Sequence, residues 1–403
     1  MLSDASELGD HLRSLIATRG SAASSLSELC RSVHGAYPTT VLQIAKTLNE
    51  QHQAIDHRVL RHLGAPPRGM QVGLSILPVP HPLDFEWRYS RCGCADLAAA
   101  IKADLRSAGG KVALLGAPGL AEDLATNGPQ LDITLFELRV EACEALRSLE
   151  HDRLRVIAGD LTETWVDFNA EFTVVVADPP WYPDVTEAFL QVASRLLTDA
   201  GALLLSCPGV TTRPNIPEER SRLLEVAAAS GLVFESLLPQ ALEYESPPFE
   251  MSALRAAGLA GFDPLWRLGD LLRFRRTPGR RRAEVVTRSR IGKDSWHEVS
   301  FGRTRIRVNT QPVNDTESIL QPIVAGDVLD SVSTRDPRRI PANVWTTTNR
   351  VFRSGQSVKL LTELTRQSRG GAVNWRDEVS ELAAELIKTE ARALDALGIE
   401  WRQ

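Results

Sequence analysis

The stretch VVVADPPWYP, residues 174–183, is an uninterrupted apolar run that ends at an acid, two prolines and two aromatic residues. A strand with one wet face alternates apolar and polar residues, whereas a strand buried on both faces is apolar throughout. Strands of the second kind occur in parallel sheets that helices cover on both sides. The stretch therefore predicts a buried strand that displays a carboxylate at its carboxyl end.

Similar apolar runs occur on both sides of this stretch, with helical segments between them, from about residue 84 to residue 278. The other predicted strands are KVALLG, DITLFEL, LRVIAGD and GALLLSCPG, and the predicted helices include ADLAAAIKADLRSA, RVEACEALRSLE and VTEAFLQVASRLL. Strands that alternate with helices specify a mostly parallel sheet. Residues 84–278 therefore predict a doubly wound α/β domain of the Rossmann-like type, whose ligands bind beyond the carboxyl ends of the strands.

Two flanking regions have other patterns. Residues 1–68 predict short helices, which suit either a winged-helix module or a small helical bundle that would make the protein a homodimer. The run Ala65-Pro66-Pro67 marks the end of this region. Residues 294–403 combine alternating strand patterns with a long amphipathic helix, and they predict a small α+β domain. The chain of 403 residues is thus expected to form three domains.

Composition excludes several classes of protein. The chain is 43% hydrophobic and 24% charged, and it has no apolar run long enough to cross a bilayer, so we expect no membrane role. The first residues show no export signal, which predicts a cytoplasmic location. Five scattered cysteines suit reduced thiols, and the close pair Cys92 and Cys94 lacks the second pair of ligands that a zinc site needs, so no metal site is expected.

The predicted strand ends carry a set of residues that suits a nucleoside. Gly116-Ala117-Pro118-Gly119 after the first strand is a loose glycine turn of the kind that lets backbone approach a ligand. Glu137 at the end of the second strand is placed to accept hydrogen bonds from a ribose diol. Asp160 after the third strand is placed to receive an adenine amine. Each acid alone could equally be a helix cap or a solvated loop acid. Together, Glu137, Asp160 and Asp178 end successive strands in order, and this predicts a nucleoside site.

The fourth strand end, Asp178-Pro179-Pro180-Trp181, suits the alkylation of an aromatic amine. Such a nitrogen is a weak nucleophile because its lone pair is delocalised, so the reaction needs positioning more than a strong base. A carboxylate and a carbonyl of a rigid proline turn can accept its two N–H bonds and stabilise the charge that develops on nitrogen. The indole offers a flat face on which a base can stack. The alternative is a structural turn in which Trp181 fills a gap.

These residues resemble a known family, the S-adenosyl-L-methionine-dependent amino-methyltransferases, and the form DPPW is similar to that of the adenosine N6-methyltransferases. The resemblance covers about residues 84–278, and only the DPPW stretch is specific. It implies a class I methyltransferase core in which Asp178, Pro179, Pro180 and Trp181 hold the target amine of DNA or RNA. It also implies that Gly116 and Gly119 lie under the methionine part of the cofactor, with Glu137 at its ribose and Asp160 at its adenine. The chain departs from the family at strand one, where an acid is expected before the glycines.

A second resemblance is to the branched-chain polyamine synthases, which also combine a winged-helix-like domain with an Asp-Pro-Pro turn and transfer an aminopropyl group. Those enzymes carry an acidic cluster after the first strand, where this chain has Ala117-Pro118 and only Glu122 and Asp123 nearby. A third possibility is a degenerate methyltransferase fold that binds nucleic acid or a partner. The run between Arg273 and Lys293 holds nine basic residues and one acid, so it is either a solvated linker or a phosphate-binding segment. The residues predicted to contact nucleic acid there are Arg275, Arg276, Arg280, Arg281 and Arg282.

Overall fold

The computed structural model describes residues 3–61, 71–72, 75–105, 110–128, 131–149, 153–280, 296–311, 318–398 and 400–401. The chain packs into two compact units. Unit 1 comprises residues 1–64, 88–245 and 265–288, and unit 2 comprises residues 65–87, 246–264 and 289–403. The helical N-terminal region thus belongs to the same unit as the large sheet. The three predicted domains, which were read from sequence continuity, do not coincide with these units.

The helices are numbered α1 to α13 along the chain. Their bounds are α1 Ser3–Arg19, α2 Leu26–Ser32, α3 Pro38–Glu50, α4 His57–Leu60, α5 Arg91–Leu105, α6 Pro118–Asn127, α7 Val140–Arg147, α8 Leu161–Thr164, α9 Pro183–Leu196, α10 Ile216–Ala229, α11 Pro248–Ala256, α12 Ser357–Ser368 and α13 Glu378–Asp395. Within the described residues, no helix is both long enough and apolar enough to span a membrane.

The strands are numbered in the same way. Their bounds are β1 Gln71–Val72, β2 Arg88–Tyr89, β3 Lys111–Leu115, β4 Asp132–Glu137, β5 Leu154–Ala158, β6 Phe172–Ala177, β7 Leu197–Cys207, β8 Leu232–Glu245, β9 Arg267–Arg276, β10 Trp296–Phe301, β11 Thr304–Asn309, β12 Gln321–Pro322, β13 Val344–Thr346, β14 Val351–Arg353 and β15 Glu400–Trp401.

Unit 1 contains an eight-stranded sheet in the order β2-β8-β9-β7-β6-β3-β4-β5. Strands β5, β4, β3, β6 and β7 are parallel, and β9 lies antiparallel between β7 and β8. Consecutive side chains of β6 point to opposite faces of the sheet, and all four residues Val174, Val175, Val176 and Ala177 are buried. Both faces of β6 are therefore covered, and the predicted doubly wound α/β architecture is confirmed.

The N-terminal part of unit 1 is helical. Among residues 3–61 there is no strand, so this segment has no wing hairpin of the kind that defines a winged helix. Helices α2 and α3 are joined by a turn that packs against the loop after β7: Thr211 donates its backbone N–H to the carbonyl of His34 and its hydroxyl to the carbonyl of Val33. Arg31 of α2 also pairs with Glu243 of β8 at 2.8 Å. Residues 3–61 thus pack against the large sheet of their own unit, and the choice between a winged-helix module and a helical bundle stays a prediction.

Unit 2 contains a second sheet, in the order β10-β11-β13-β14-β12, whose paired strands are antiparallel. Helices α12 and α13 supply Leu360 and Leu386 to a core that includes Ile306, Val344 and Phe352. The α+β pattern predicted for the C-terminal region agrees with these elements. A separate two-stranded pair joins β1 and β15.

The sequence WTTTNR, residues 345–350, is the turn of the β13–β14 hairpin in unit 2, and it is buried throughout. Its side chains hydrogen-bond within the unit. Thr348 donates its hydroxyl to Glu390 at 2.7 Å, Trp345 donates its indole N–H to Asn349 at 3.1 Å, and Arg350 pairs with Asp327 at 2.7 Å. The polar residues of this buried turn are therefore bonded partly to one another and partly to Glu390 and Asp327 elsewhere in unit 2.

Candidate active site

The parallel strands of unit 1 bring the predicted residues to one edge of the sheet. Gly116 follows β3, Glu137 ends β4, Asp160 follows β5 by two residues, and Asp178 follows β6. Strand β8 is antiparallel to β9, which is antiparallel to β7, so β8 runs in the same direction as the parallel strands. Its last residues, including Tyr244, therefore reach the same edge.

The glycine turn after β3 lies directly beside the Asp178 corner. Gly116 has a φ of +63°, and a Cβ there would lie 3.2 Å from Cε1 of Phe189 and 3.3 Å from the backbone carbonyl oxygen of Asp178. The Asp178 N–H donates to the carbonyl of Leu115 at 3.0 Å, and this bond holds the Asp178 backbone beside the end of β3. A side chain at position 116 would be strained and crowded, so glycine is required by the backbone.

Glu137 and Asp160 lie at strand ends as predicted, and both have partners of their own. Glu137 is buried, accepts the backbone N–H of Arg139 at 2.9 Å and pairs with the Arg139 guanidinium at 3.3 Å. Asp160 is the N-cap of α8 and accepts from the N–H and the hydroxyl of Thr162 at 2.8 and 2.7 Å. Since these contacts use one oxygen of Asp160, the cap does not exclude a ligand at the other.

Asp178 is held by two hydroxyl groups that the sequence prediction missed. Ser206 near the end of β7 and Tyr244 of β8 both donate to the same oxygen, Oδ1, and the Tyr244 bond is 2.9 Å long. The ring of Tyr89 lies against that of Tyr244, with centroids 4.7 Å apart. Burial, and then the charge of Asp178, raises the pKa of Tyr244 well above its ordinary value of 10.0, so its hydroxyl stays a donor at neutral pH.

One signal for Ser206 was present in the sequence. It is the only hydroxyl within the apolar run ALLLSC, residues 202–207, of a strand buried on both faces, and buried polar groups need a partner. No comparable signal identified Tyr244 as a partner of Asp178. The two residues are far apart in sequence and meet because β8 folds back beside β9.

Trp181 is half-buried at the start of the loop before α9. The Trp181 and Tyr244 rings are T-shaped, with centroids 5.7 Å apart. The Cζ2 atom of Trp181 lies 3.1 Å from the position that a Cβ at Gly269 would take. The Arg267 guanidinium is 5.9 Å from the centroid of the Trp181 ring. Arg267 also lies 4.7 Å from the centroid of Trp266. Trp181 further borders a cleft between the first turns of α9 and α10, so its indole reaches a concave surface.

Two of the five predicted nucleic-acid residues, Arg275 and Arg276, are engaged within unit 1. Arg276 is 1% exposed and donates to the carbonyls of Ser230 and Gly231 at 2.8 and 2.9 Å, which corrects its assignment as a phosphate contact. Arg275 pairs with Asp104 and Glu235, so its charge is already compensated. Arg280 is exposed. The other two, Arg281 and Arg282, lie outside the described residues.

Comparisons with known proteins show the fold. No family model matches the chain, and no curated protein matches it. A mutein of the branched-chain polyamine synthase from Thermus thermophilus, solved with N4-aminopropylspermidine and 5′-methylthioadenosine, is 18% identical over 71% of this chain and 95% of that chain, with a TM-score of 0.51. A putative RNA methyltransferase from Pyrococcus horikoshii is 20% identical over 52% of this chain and 93% of that chain, with a TM-score of 0.37. The core of unit 1 thus has a Rossmann-like fold, which its strand order also shows.

Proposed function

We propose that the protein is an S-adenosyl-L-methionine-dependent N-methyltransferase that acts on an exocyclic amino group. The observation that carries the proposal is the Asp178 corner. Its carboxylate is fixed by two hydroxyls, it is followed by a rigid proline turn, and it lies beside a glycine turn. A fixed acceptor next to an open backbone is what the alkylation of a weakly nucleophilic nitrogen requires.

The residues of the sheet edge fit an adenosine-containing cofactor. At Gly116 a Cβ would lie 3.3 Å from the Asp178 carbonyl oxygen, so the glycine lets the turn pack closely against the Asp178 corner. Gly159, with a φ of +136°, is a second strand-end glycine where a side chain would be strained, and a Cβ there would lie 2.8 Å from Cγ2 of Thr164. Glu137 offers a buried carboxylate between them. When bound, the cofactor supplies an electrophilic methyl group on its sulfonium.

Asp178 and Pro179 act on the acceptor nitrogen. The carbonyl of Pro180 accepts the N–H of Tyr182 at 2.6 Å, so the carbonyl of Pro179 is the second acceptor that we propose. One N–H of the acceptor donates to Asp178 and the other to Pro179, which directs the nitrogen lone pair toward the glycine turn. When the methyl group passes to the nitrogen, its C–S bond to the sulfonium would break and leave a neutral thioether. The carboxylate of Asp178 would stabilise the positive charge on nitrogen and take up the proton that the nitrogen loses.

Adenine N6 in DNA or RNA is the acceptor that we propose first. The indole of Trp181 borders a cleft, and stacking of a base on such a ring contributes about 1–3 kcal/mol. An aromatic amine also needs the orientation that Asp178 and Pro179 provide, since it has no basic lone pair of its own. Arg275 and Arg276 of β9 are bound within unit 1, so in this proposal other residues contact the phosphates.

An aminopropyl transfer to a polyamine is the second candidate, and a separate observation favours it. Burial, and then the charges of Asp123, Glu245, Glu122 and Asp178, raises the pKa of Cys94 in α5, so these four carboxylates act together electrostatically on this part of unit 1. A negative potential of this kind attracts a cationic amine. The fold similarity to a polyamine synthase extends over 95% of that chain.

Methyl transfer from a labelled donor tests the proposal. The labelled S-adenosyl-L-methionine is offered with duplex DNA, single-stranded DNA, RNA or spermidine, to wild type, Asp178→Asn and the control Asp199→Asn, whose carboxylate is exposed. We expect label in a nucleic acid with wild type and the control, and a loss on the order of 100-fold or more with Asp178→Asn. Equal labelling by all three proteins would contradict the role of Asp178.

Two further outcomes separate the alternatives. Formation of an aminopropylated spermidine from decarboxylated cofactor, detected by mass spectrometry, would establish the second candidate in place of the first. If calorimetry shows no heat with either form of the cofactor, the fold acts as a binding module and the proposed enzyme activity is wrong.

A further inference from the structure

The cleft that Trp181 borders contains charged side chains that have no role in the chemistry described above. This cleft lies between α9 and α10, and residues at and after the end of β7 also line it. Its charged residues are Glu187, Arg213, Glu219 and Arg220, and most of the other residues that line it are apolar. An apolar cleft with a few charged groups is typical of a ligand site, and those groups determine which ligand it accepts.

Arg220 of α10 is held at this cleft through a single nitrogen. Its Nη2 donates to the carbonyl of Pro208 at 2.6 Å and to Oδ2 of Asp270 at 2.9 Å. The side chain of Asp270 is 3% exposed, and its other oxygen accepts the N–H of Gln240 at 2.9 Å. Nε and Nη1 of Arg220 donate to none of the described residues, and neither atom is buried. The guanidinium is thus anchored by a buried acid and keeps N–H donors for a ligand.

Arg213, in the loop before α10, has the same property. Its Nε and Nη2 both donate to Glu219, and its Nη1 donates to none of the described residues. The two carboxylates that line the cleft are each engaged by an arginine, Glu219 by Arg213 and Glu187 by Arg222. A cationic amine would have to compete with these guanidiniums, whereas an anion can accept from N–H groups that have no partner. The cleft therefore suits an anion with several acceptor oxygens.

The loop that carries Pro208 and Arg213 is itself fixed within unit 1. A Cβ at Gly209 would overlap the carbonyl oxygen of His34, so this loop packs directly on the turn between α2 and α3. Thr211 bonds to the same turn through its N–H and its hydroxyl. The helical N-terminal segment thus holds the arginine loop in place, and a site held by such packing loses little entropy when it binds a ligand.

We propose that this cleft binds a phosphate of the acceptor strand, directly beside the adenosine whose base stacks on Trp181. Arg220 is the main contact and Arg213 the second. The inference rests on the proposed function and deepens it, because it selects a nucleic acid over a polyamine as the acceptor. Trp181 and both arginines line one cleft, so a nucleotide with its base on the indole brings its backbone to the guanidiniums. A polyamine offers no anion to these donors, and the charge of Arg220 repels it.

Uncharged backbone linkages test the phosphate contact. The probe is a short single strand that accepts label in the methyl-transfer assay, bound in the presence of S-adenosyl-L-homocysteine, which fills the cofactor site. In two matched strands a methylphosphonate replaces the phosphate on the 5′ or the 3′ side of the target adenosine, and in a third strand the replacement is remote from it. Fluorescence anisotropy gives the dissociation constants. We expect one adjacent replacement to weaken binding to wild type by roughly 10-fold or more, and the remote one to have little effect.

A variant assigns the contact to Arg220. Arg220→Met should bind the unmodified strand about as weakly as wild type binds the sensitive modified strand, and it should no longer distinguish the two. The slope of log Kd against log salt concentration should also become shallower by about 0.7, the contribution of one phosphate of a single strand. The control Arg147→Met, which removes an exposed arginine from the last turn of α7, should retain both properties. The comparison of strands on wild type needs no variant, so the inference is tested even if Arg220→Met does not fold.

The outcomes separate this inference from the proposed function. If wild type binds all the strands equally, the cleft holds no phosphate beside the adenosine and the inference is wrong, while labelling of the strand still supports the methyltransferase. If Arg220→Met distinguishes the strands as wild type does, another residue makes the contact, and the inference is again overturned. If no nucleic acid accepts label, the proposed acceptor and this inference fail together.

Discussion

The substitution Tyr244→Phe removes one of the two hydroxyls that fix Asp178 and leaves the aromatic packing in place. The Tyr244 ring contacts Tyr89 with centroids 4.7 Å apart and Trp181 at 5.7 Å, and a phenylalanine ring keeps both contacts. What is lost is the 2.9 Å bond from the hydroxyl to Oδ1 of Asp178, in a side chain that is 2% exposed. Any change in stability or activity of Tyr244→Phe therefore measures the loss of this hydrogen bond and not the creation of a cavity.

The expected magnitude follows from the charge of the acceptor. A hydrogen bond to an ionised group contributes about 1.5–3 kcal/mol, and Ser206 remains as a second donor, so we expect the lower part of that range, about 1.5 kcal/mol, in the free energy of unfolding. If Asp178 orients the acceptor, methyl transfer should also fall by about 10-fold. Because the pKa of Tyr244 lies well above 10.0, neither effect should depend on pH in the neutral range.

The assays are urea unfolding and labelled methyl transfer, in a double-mutant cycle with Asp178→Ala. In the Asp178→Ala background the hydroxyl has lost its acceptor, so Tyr244→Phe should there change stability by less than about 0.5 kcal/mol. An equal loss of stability in both backgrounds would refute the reasoning, since the hydroxyl would then act through another group. If Tyr244→Phe transfers methyl groups at the wild-type rate, this hydrogen bond does not contribute to catalysis.

Three other predictions concern single positions of unit 1. Gly116→Ala should lower the melting temperature and weaken cofactor binding measured by calorimetry. A non-glycine residue at a φ of +63° costs about 1–2 kcal/mol, and the new Cβ would contact the Asp178 carbonyl. The control Gly9→Ala places its Cβ in open space and should change neither quantity. Arg276→Met should destabilise the protein to urea by about 2–3 kcal/mol with no specific effect on nucleic-acid affinity, whereas the exposed Arg280→Met should leave stability nearly unchanged. Glu245 binds its proton more tightly in the folded state, so its contribution to stability should fall as pH rises from about 4.5 to about 7, and Glu245→Gln should flatten the measured pH profile of unfolding there.

The sequence predicted the sheet, and the edge at which Asp178 and Gly116 meet, because both depend on local patterns. The apolar run of β6 and the acid that follows it are contiguous, and parallel strands bring their ends together whatever lies between them. Asp178 and Gly116 could therefore be assigned to one edge from spacing alone. The partners of Asp178 could not, because Tyr244 arrives through the antiparallel pairing of β8 with β9, which no local pattern specifies.

The error at Arg276 has a physical cause that the sequence contained. A run of basic residues suggests a solvated surface, but β9 continues through this run, and alternate residues of a strand share a face. Leu272 and Phe274 are 0% exposed, so Arg276 stands on the inward face, where it is 1% exposed. Its guanidinium then donates to the carbonyls of Ser230 and Gly231, the second of which also accepts the N–H of Thr277 at 3.0 Å. Charge density alone was a weaker guide than strand periodicity.

The two-residue ladder between β2 and β8 determines which face of the sheet carries Tyr244. One face of the ladder carries Tyr244, which fixes the carboxylate of Asp178, and the other carries Arg88 and Glu245. A slip of one residue in this register would exchange the two faces and remove the Tyr244 hydroxyl from Asp178. Changes that weaken the ladder should thus weaken the positioning of the acceptor by Asp178. Changes confined to Ser206, which lies on β7, should remove only the second hydroxyl donor of Asp178.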